Sequence, residues 1–189
     1  MDYSIKLSAR RTYFLLRKAF FQLLTEMPYE KITLTELCHS SMVPRSTFYR
    51  YFEDKYDLLC YCLQTYFDDI GLSEDIIYIR DIEHMKTLLT QIFLVFEQNK
   101  TSFQKIYVNN KNGIFTETLR SFFIQFLTQK LNSTKDKNPP LKLSSPIFIY
   151  LLADFYLGIS VCYLELGENY SVEEFVDNVC LFANKEFFI

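Results

Sequence analysis

Tryptophan is absent from this 189-residue sequence, and glycine, proline and histidine occur only four, five and two times. A β-sandwich or β-barrel needs a turn after each short strand, so this scarcity of turn residues argues against both. The sequence also contains neither a glycine-rich loop that could hold a phosphate nor a Gly-x-Ser-x-Gly nucleophile motif. The composition therefore predicts an all-α protein.

The five cysteines and two histidines form no metal-binding or catalytic pattern. Cys60 and Cys62 lie two residues apart, which on a helix points them to different faces. His39 and His84 are isolated, and we expect ordinary surface or core residues there. We therefore expect no catalytic residue, no metal and no cofactor. The odd number of cysteines and the lack of a signal peptide favour a reducing, cytoplasmic location.

Residues 146–164 are almost entirely apolar and long enough to cross a membrane. Asp154 lies at the centre of this stretch, however, and no asymmetric group of basic residues flanks it. We therefore expect no membrane span. A helix that is apolar on all sides must be covered on all sides, and a second copy of the same helix would do this.

The charge is distributed unevenly along the chain. Residues 1–60 contain nine basic and seven acidic side chains, whereas residues 61–189 contain eleven basic and sixteen acidic ones, for a net charge of −3. A weakly basic N-terminal third on an acidic body suits a polyanionic partner at one end, although charge alone is equally consistent with random scatter.

Apolar periodicity, capping residues and breaks predict nine helices. Thr33–Glu36 and Ser171–Glu174 have the spacing of capping boxes, and Ser145 precedes a proline at the start of a helix. Polar residues ending in two prolines, 132–140, form a loop. The expected helices cover residues 8–27, 34–41, 45–51, 54–69, 81–98, 101–109, 114–131, 146–166 and 172–187.

Two short helices joined by a tight turn at residues 42–44 match the helix-turn-helix plan. In the second helix, Phe48 and Phe52 would point into the core. The outward arc would contain Arg45, Ser46, Tyr49 and Arg50. Arginines and hydroxyls suit contacts with phosphates and guanine, although composition alone is equally consistent with an ordinary solvated face.

Residues 32–59 resemble the DNA-binding module of TetR-family transcriptional regulators. The most specific part is Thr47-Phe48-Tyr49-x-Tyr51-Phe52-x-x-Lys55-x-x-Leu58-Leu59. The resemblance implies a DNA-binding domain at residues 8–69, with its helix-turn-helix at about 33–52, and a C-terminal dimerisation and effector domain at residues 70–189. Residues 156–174 are similar to the subset that regulates dihydroxyacetone kinase genes.

The resemblance also implies roles for individual residues. Arg45, Ser46 and Arg50 would contact base edges. Phosphates or the sugar backbone would be contacted by Thr33, Thr47, Tyr49, Tyr51 and Lys55. Arg10 and Arg11 would reach flanking DNA, or else be plain solvated charges. Where the family usually has glycine in the turn, this chain has Met42, so a left-handed backbone there would cost roughly 1–2 kcal/mol.

The C-terminal domain of such regulators forms dimers and in many members binds an effector. The predicted dimer interface contains Phe148, Leu152, Tyr156, Tyr163, Phe175, Val179 and Phe182. The candidate effector pocket contains Phe93, Phe96, Phe103, Tyr107, Phe122 and Phe126, to which Tyr66, Phe67 and Phe123 are neighbours. The sequence leaves open whether these aromatic residues line a pocket or simply fill the core.

We therefore expect a non-enzymatic regulator, of the repressor type, that binds an inverted repeat in double-stranded DNA as a homodimer. A small hydrophobic or aromatic effector would change the separation of the two DNA-binding helices through unequal affinity for the two dimer states. The alternative is a protein–protein adaptor or co-activator that acts through its C-terminal domain and binds DNA weakly.

Overall fold

The computed structural model describes residues 7–69, 77, 81–134, 142 and 144–184. All regular structure in these residues is helical, which confirms the predicted fold class. Two short 3-10 turns, Tyr29–Lys31 and Gly167–Asn169, connect helices. The α-helices are α1 (Leu7–Glu26), α2 (Leu34–Ser41), α3 (Arg45–Phe48), α4 (Lys55–Asp69), α5 (Ile82–Gln98), α6 (Lys100–Asn110), α7 (Phe115–Thr134), α8 (Ser145–Leu166) and α9 (Val172–Ala183).

Several helix ends differ from the predicted ones. The α-helical part of α3 ends at Phe48, before the predicted Tyr51, and α7 continues to Thr134. Helix α8 begins at Ser145, so Ser144 occupies the N-cap position that we predicted for Ser145, and its side chain makes no capping bond. Helix α9 ends at Ala183, and the predicted residues 185–187 lie outside the described part of the chain.

The chain divides into two compact units. The first contains Met1–Thr65 and Lys105–Thr118, and the second contains Tyr66–Gln104 and Leu119–Ile189. The first unit thus includes a segment that the predicted division at residues 69 and 70 assigned to the C-terminal domain. Helices α4, α6 and α7 each contribute residues to both units.

The first unit is built around helix α1, which packs against α2. Leu16, Phe20 and Leu24 of α1 are buried at intervals of four residues, so one stripe of the helix faces the core. Leu37 of α2 and Phe48 of α3 are completely buried beside them in this unit. The helix-turn-helix is therefore held to α1 by apolar packing.

Polar contacts join the 3-10 turn Tyr29–Lys31 to the end of α6 and the start of α7. The Asn110 side chain, only 2% exposed, accepts from the Tyr29 backbone N–H at 2.6 Å and donates to the Ile106 carbonyl at 2.7 Å. The Glu30 carboxylate accepts from the Ile114 backbone N–H at 3.0 Å. A Cβ at Gly113 would lie 1.9 Å from Glu30 Oε1, so a side chain at residue 113 would displace the Glu30 carboxylate from this position.

The second unit is organised around α5, which packs against α9. The Phe93 ring of α5 lies 4.8 Å from the Tyr163 ring of α8 and 4.9 Å from the Phe175 ring of α9. The Tyr163 hydroxyl donates to Glu97 at 2.6 Å, and Lys86 pairs with Asp177 at 2.6 Å. Aromatic packing and polar links thus connect three helices of this unit.

One helical stretch of the described residues, 145–169, is long and apolar enough to cross a membrane. The carboxylate of Asp154, at the middle of α8, accepts from Arg120 Nε at 2.6 Å and from Nη2 at 2.9 Å. This ion pair is exposed, as are the apolar side chains of Ile147, Tyr150 and Leu151 on the same stripe. Helix α8 is therefore covered on one side only by its own unit.

We expect Asn110→Ala to lower the free energy of unfolding by about 2 kcal/mol, because the buried Tyr29 N–H would lose its acceptor. The matched control is Asn109→Ala, whose amide lies 3.4 Å from the Leu24 carbonyl in a partly exposed position, and it should change stability by less than about 0.5 kcal/mol. Urea unfolding at one protein concentration measures both. Equal losses of stability in the two variants would show that the buried hydrogen bond of Asn110 does not stabilise the fold more than an exposed one.

Candidate nucleic-acid interface

Helix α2 begins with the predicted capping box. Thr33 Oγ1 accepts from the Glu36 backbone N–H at 3.2 Å, and the Glu36 carboxylate accepts from the Thr33 N–H at 2.9 Å and from its hydroxyl at 2.7 Å. These hydrogen bonds lower the pKa of Glu36. The Thr33 hydroxyl hydrogen is therefore used within the chain, and the phosphate contact at this helix end stays a prediction.

The turn between α2 and α3 has a left-handed backbone at Met42, with φ 54° and ψ 27°. Met42 is the one non-glycine residue with positive φ among those described, and its side chain is 89% exposed. The next residue, Val43, is buried, and its N–H donates to the Cys38 carbonyl at 3.1 Å. The turn keeps the geometry that glycine favours, although methionine is strained there.

The segment after Pro44 exposes the predicted outward arc. Hydrogen bonds from Tyr51 N–H and Phe52 N–H to the Phe48 carbonyl, at 2.9 and 3.0 Å, continue the turn beyond the end of α3. Phe48 and Phe52 are buried and pack with ring centroids 5.6 Å apart. The side chains exposed on this segment are those of Arg45, Ser46, Tyr49 and Arg50.

Two further contacts position residues of this segment. The Arg45 guanidinium donates to the Thr35 hydroxyl on α2, which holds the arginine against the preceding helix. The Tyr51 ring, partly buried, lies 5.2 Å from the Tyr13 ring of α1. Thr35 and Tyr13 are positioning residues that the sequence did not indicate, because their partners lie ten and 38 residues away along the chain. Thr47 is partly buried.

Lys55 is placed differently from the phosphate contact that the resemblance implied. Its ammonium group donates to three backbone carbonyls, those of Tyr29 at 2.8 Å, Glu30 at 3.2 Å and Ile32 at 3.0 Å. It also lies 4.5 Å from the centre of the Tyr29 ring, and its burial lowers the pKa of Lys55. All three ammonium hydrogens are used, so Lys55 supports the turn and is corrected to a structural residue.

Several predicted dimer contacts are buried within the single chain. Leu152, Tyr156, Tyr163 and Phe175 lie in the core of the second unit, so they cannot meet a partner, and this part of the prediction is corrected. Phe148 and Val179 are partly buried, and Phe182 is 66% exposed. Periodicity could not separate the faces of α8, because apolar residues surround that helix.

Five of the predicted effector residues belong to one continuous set of ring contacts but differ in burial. Through Tyr66 and Phe67, the rings of Phe93, Phe96 and Phe103 connect to those of Phe122 and Phe126. Phe93 is completely buried, and Phe122 and Phe126, also buried, stack with Phe67 at centroid distances of 6.3 and 5.3 Å. These rings fill the core. Phe96 and Phe103 are partly exposed and stack on each other at 4.8 Å. Tyr107 belongs to the first unit, apart from the other five residues.

Comparison with solved structures identifies the class of fold. The chain is similar to a protein from Syntrophomonas wolfei described as a TetR-family transcriptional regulator, with a TM-score of 0.56 and 22% identity over 94% of this chain and 95% of that one. It is also similar to the regulator FadR from Bacillus subtilis in complex with stearoyl-CoA, with a TM-score of 0.51 and 14% identity over 89% and 95%. The chain therefore has the fold of TetR-family transcriptional regulators, and the resemblance inferred from residues 32–59 is confirmed.

One curated sequence is also similar to part of the chain. Over 98 residues the chain is 26% identical to the HTH-type dhaKLM operon transcriptional activator DhaS of Lactococcus lactis. The match covers 52% of this chain and spans only about half of the relative, 50% of its length. No protein-family model matches the chain. Both this relative and the Syntrophomonas wolfei protein are described as regulators of transcription.

We expect Met42→Gly to raise the free energy of unfolding by about 1 kcal/mol, because glycine adopts a positive φ without steric cost. Ser40→Gly is the control, since Ser40 is an exposed residue within α2 where glycine should lower stability by about 0.5 kcal/mol. Chemical unfolding measures the change in the free energy of unfolding of each variant, and we expect the two changes to have opposite signs. A loss of stability in Met42→Gly would mean that the methionine side chain itself supports the turn.

Proposed function

We propose that this chain is a transcriptional regulator that binds double-stranded DNA with the helix-turn-helix of α2 and α3. The observation that carries the proposal is the exposed set of Arg45, Ser46, Tyr49 and Arg50, which is held to the core by buried Phe48 and Phe52. Two cations and two hydroxyls on one rigid turn match the donors that base edges and phosphates accept.

The proposed roles follow from exposure and contacts. Arg45, Ser46 and Arg50 contact base edges in the major groove, and Arg45 is oriented by its bond to Thr35. Phosphates and sugars are contacted by Thr47, Tyr49 and Tyr51. Arg10 and Arg11 are exposed on α1 and contact the flanking backbone. Thr33 and Lys55 support these residues from within the fold.

The active form is a homodimer joined through the exposed stripes of α8 and α9. On α8, Leu151 is 61% exposed and lies one turn from Ile147. Gly158 is on the same stripe, with open space where a Cβ would be. On α9 the exposed large apolar side chains are those of Leu181 and Phe182. Apolar patches of this kind on a folded chain are typical of protein–protein interfaces, and a twofold dimer requires an inverted-repeat operator.

A small, largely apolar effector modulates this regulator in the cytoplasm. The aromatic second unit supports this part of the proposal, as does the stearoyl-CoA complex of the similar Bacillus subtilis regulator. The effector acts by binding one dimer state more tightly than the other. Since the Lactococcus lactis relative is named an activator, a reporter assay with and without the chain decides between activation and the predicted repression.

Selection from random duplex DNA, followed by salt titration on the selected sequence, tests the proposal. We expect an inverted repeat, and a slope of log K against log salt of about −5 to −9 for six to ten phosphate contacts. Failure to enrich any sequence, or a slope of only one or two, would reject sequence-specific binding and favour the adaptor function.

We expect Arg45→Ala to weaken operator binding by roughly 1–3 kcal/mol and to relax the preference at one base pair. Lys142→Ala removes the same charge from an exposed position in the second unit and should leave both quantities unchanged. Titration of each variant against the operator and a set of single-base variants measures the effect. Unchanged base preference in Arg45→Ala would show that Arg45 does not contact a base.

We expect Leu151→Glu to convert the dimer to a monomer, because a charge would be buried at the centre of the proposed interface. Leu94→Glu introduces the same change at an exposed leucine of α5 and should leave the dimer intact. Sedimentation equilibrium gives the mass of each variant. A dimer of Leu151→Glu with unchanged affinity would place the interface elsewhere.

A further inference from the structure

Two tyrosine hydroxyls in the described part of the chain are buried without a hydrogen-bond partner, those of Tyr56 and Tyr66. A hydroxyl removed from water normally has a partner, because otherwise the cost of losing its bonds to water is not offset. The Tyr56 hydroxyl lies beside the thiol of Cys60, which is a weak acceptor. Of the two residues, Tyr66 is therefore the better candidate for a hydroxyl that binds a ligand.

The Tyr66 ring contacts Phe103, and Phe103 in turn contacts a ring on a third helix of the second unit. The Tyr66 ring, on α4, meets the Phe103 ring of α6 edge-on at 6.1 Å, and Phe103 stacks on Phe96 of α5 at 4.8 Å. Phe96 and Phe103 are partly exposed, whereas Phe93 nearby in the same unit is completely buried. A tyrosine whose buried hydroxyl lacks a partner thus adjoins a pair of stacked rings that are partly exposed.

The hydroxyl is a hydrogen-bond donor at every physiological pH. Burial raises the pKa of Tyr66, which keeps the phenol protonated and neutral. A neutral phenol among aromatic rings favours an apolar molecule with one accepting oxygen and offers no charge to a strongly ionic one. The neutral Tyr66 hydroxyl and the adjoining aromatic rings therefore both favour an apolar ligand with an accepting oxygen.

We propose that the Tyr66 hydroxyl donates a hydrogen bond to the effector of this regulator, a largely apolar, uncharged molecule that carries an accepting carbonyl oxygen and packs against Phe96 and Phe103. The regulatory role of this ligand rests on the proposed function, whereas the existence of the binding site does not. Its tests use the free protein without DNA, so that a failure of operator binding and a failure of this site are distinguishable.

The first test is the stability of the free protein. Tyr66→Phe removes a buried hydroxyl that has no partner and should raise the melting temperature by about 2–4 °C. Tyr163→Phe is the matched control, because its hydroxyl donates to Glu97 at 2.6 Å, and this variant should melt at a lower temperature. A lower melting temperature for Tyr66→Phe would mean that the hydroxyl is already bonded in the free protein, and would overturn the proposal.

The second test compares two probes of nearly equal shape, acetophenone and isopropylbenzene, of which only the first has an accepting oxygen. NMR titration should show that Tyr66→Phe weakens acetophenone binding about tenfold and leaves isopropylbenzene binding unchanged or stronger. Equal changes for both probes would show a loss of packing in place of a hydrogen bond. That result, or no binding of acetophenone to the unmodified protein, would reject the site.

Discussion

The ammonium group of Lys55 supports the geometry of the whole first unit. Lys55 is the first residue of α4, and its ammonium group donates to three carbonyls in the connection between α1 and α2. The last of these carbonyls belongs to Ile32, one residue before the N-cap of α2. Carbonyls that end a 3-10 turn need donors, and a lysine supplies three from a single point. One cation therefore ties the start of α4 to the connection between α1 and α2.

The same turn receives support from two other helices of the first unit. Asn110, at the end of α6, binds the N–H of Tyr29, and Glu30 binds the first free N–H before α7. Contacts from α4, from the end of α6 and from the residue before α7 thus converge on residues 29–32, between α1 and α2, and both α6 and α7 also contribute residues to the second unit.

Local signals predicted the helix-turn-helix, whereas long-range contacts were beyond the sequence. The capping boxes at Thr33 and Ser171 depend on residues three positions apart, so they were found and are confirmed. The role of Lys55 depends on carbonyls 23 to 26 residues away, and nothing local distinguishes it from a phosphate-binding lysine. In α8 the side facing the core could not be predicted, because both Tyr156 and Leu151 are apolar.

The discontinuous first unit has a consequence for synthesis of the chain on the ribosome. Tyr29, Glu30 and Leu24 have partners 81 to 85 residues further along, so the first 65 residues cannot complete their packing when they emerge. At about 5–20 residues per second, the segment that ends at Thr118 follows roughly three to ten seconds after Thr65. During that interval the nascent helix-turn-helix has its own apolar core. It still lacks the hydrogen bonds that join Tyr29 to Asn110 and Glu30 to Ile114.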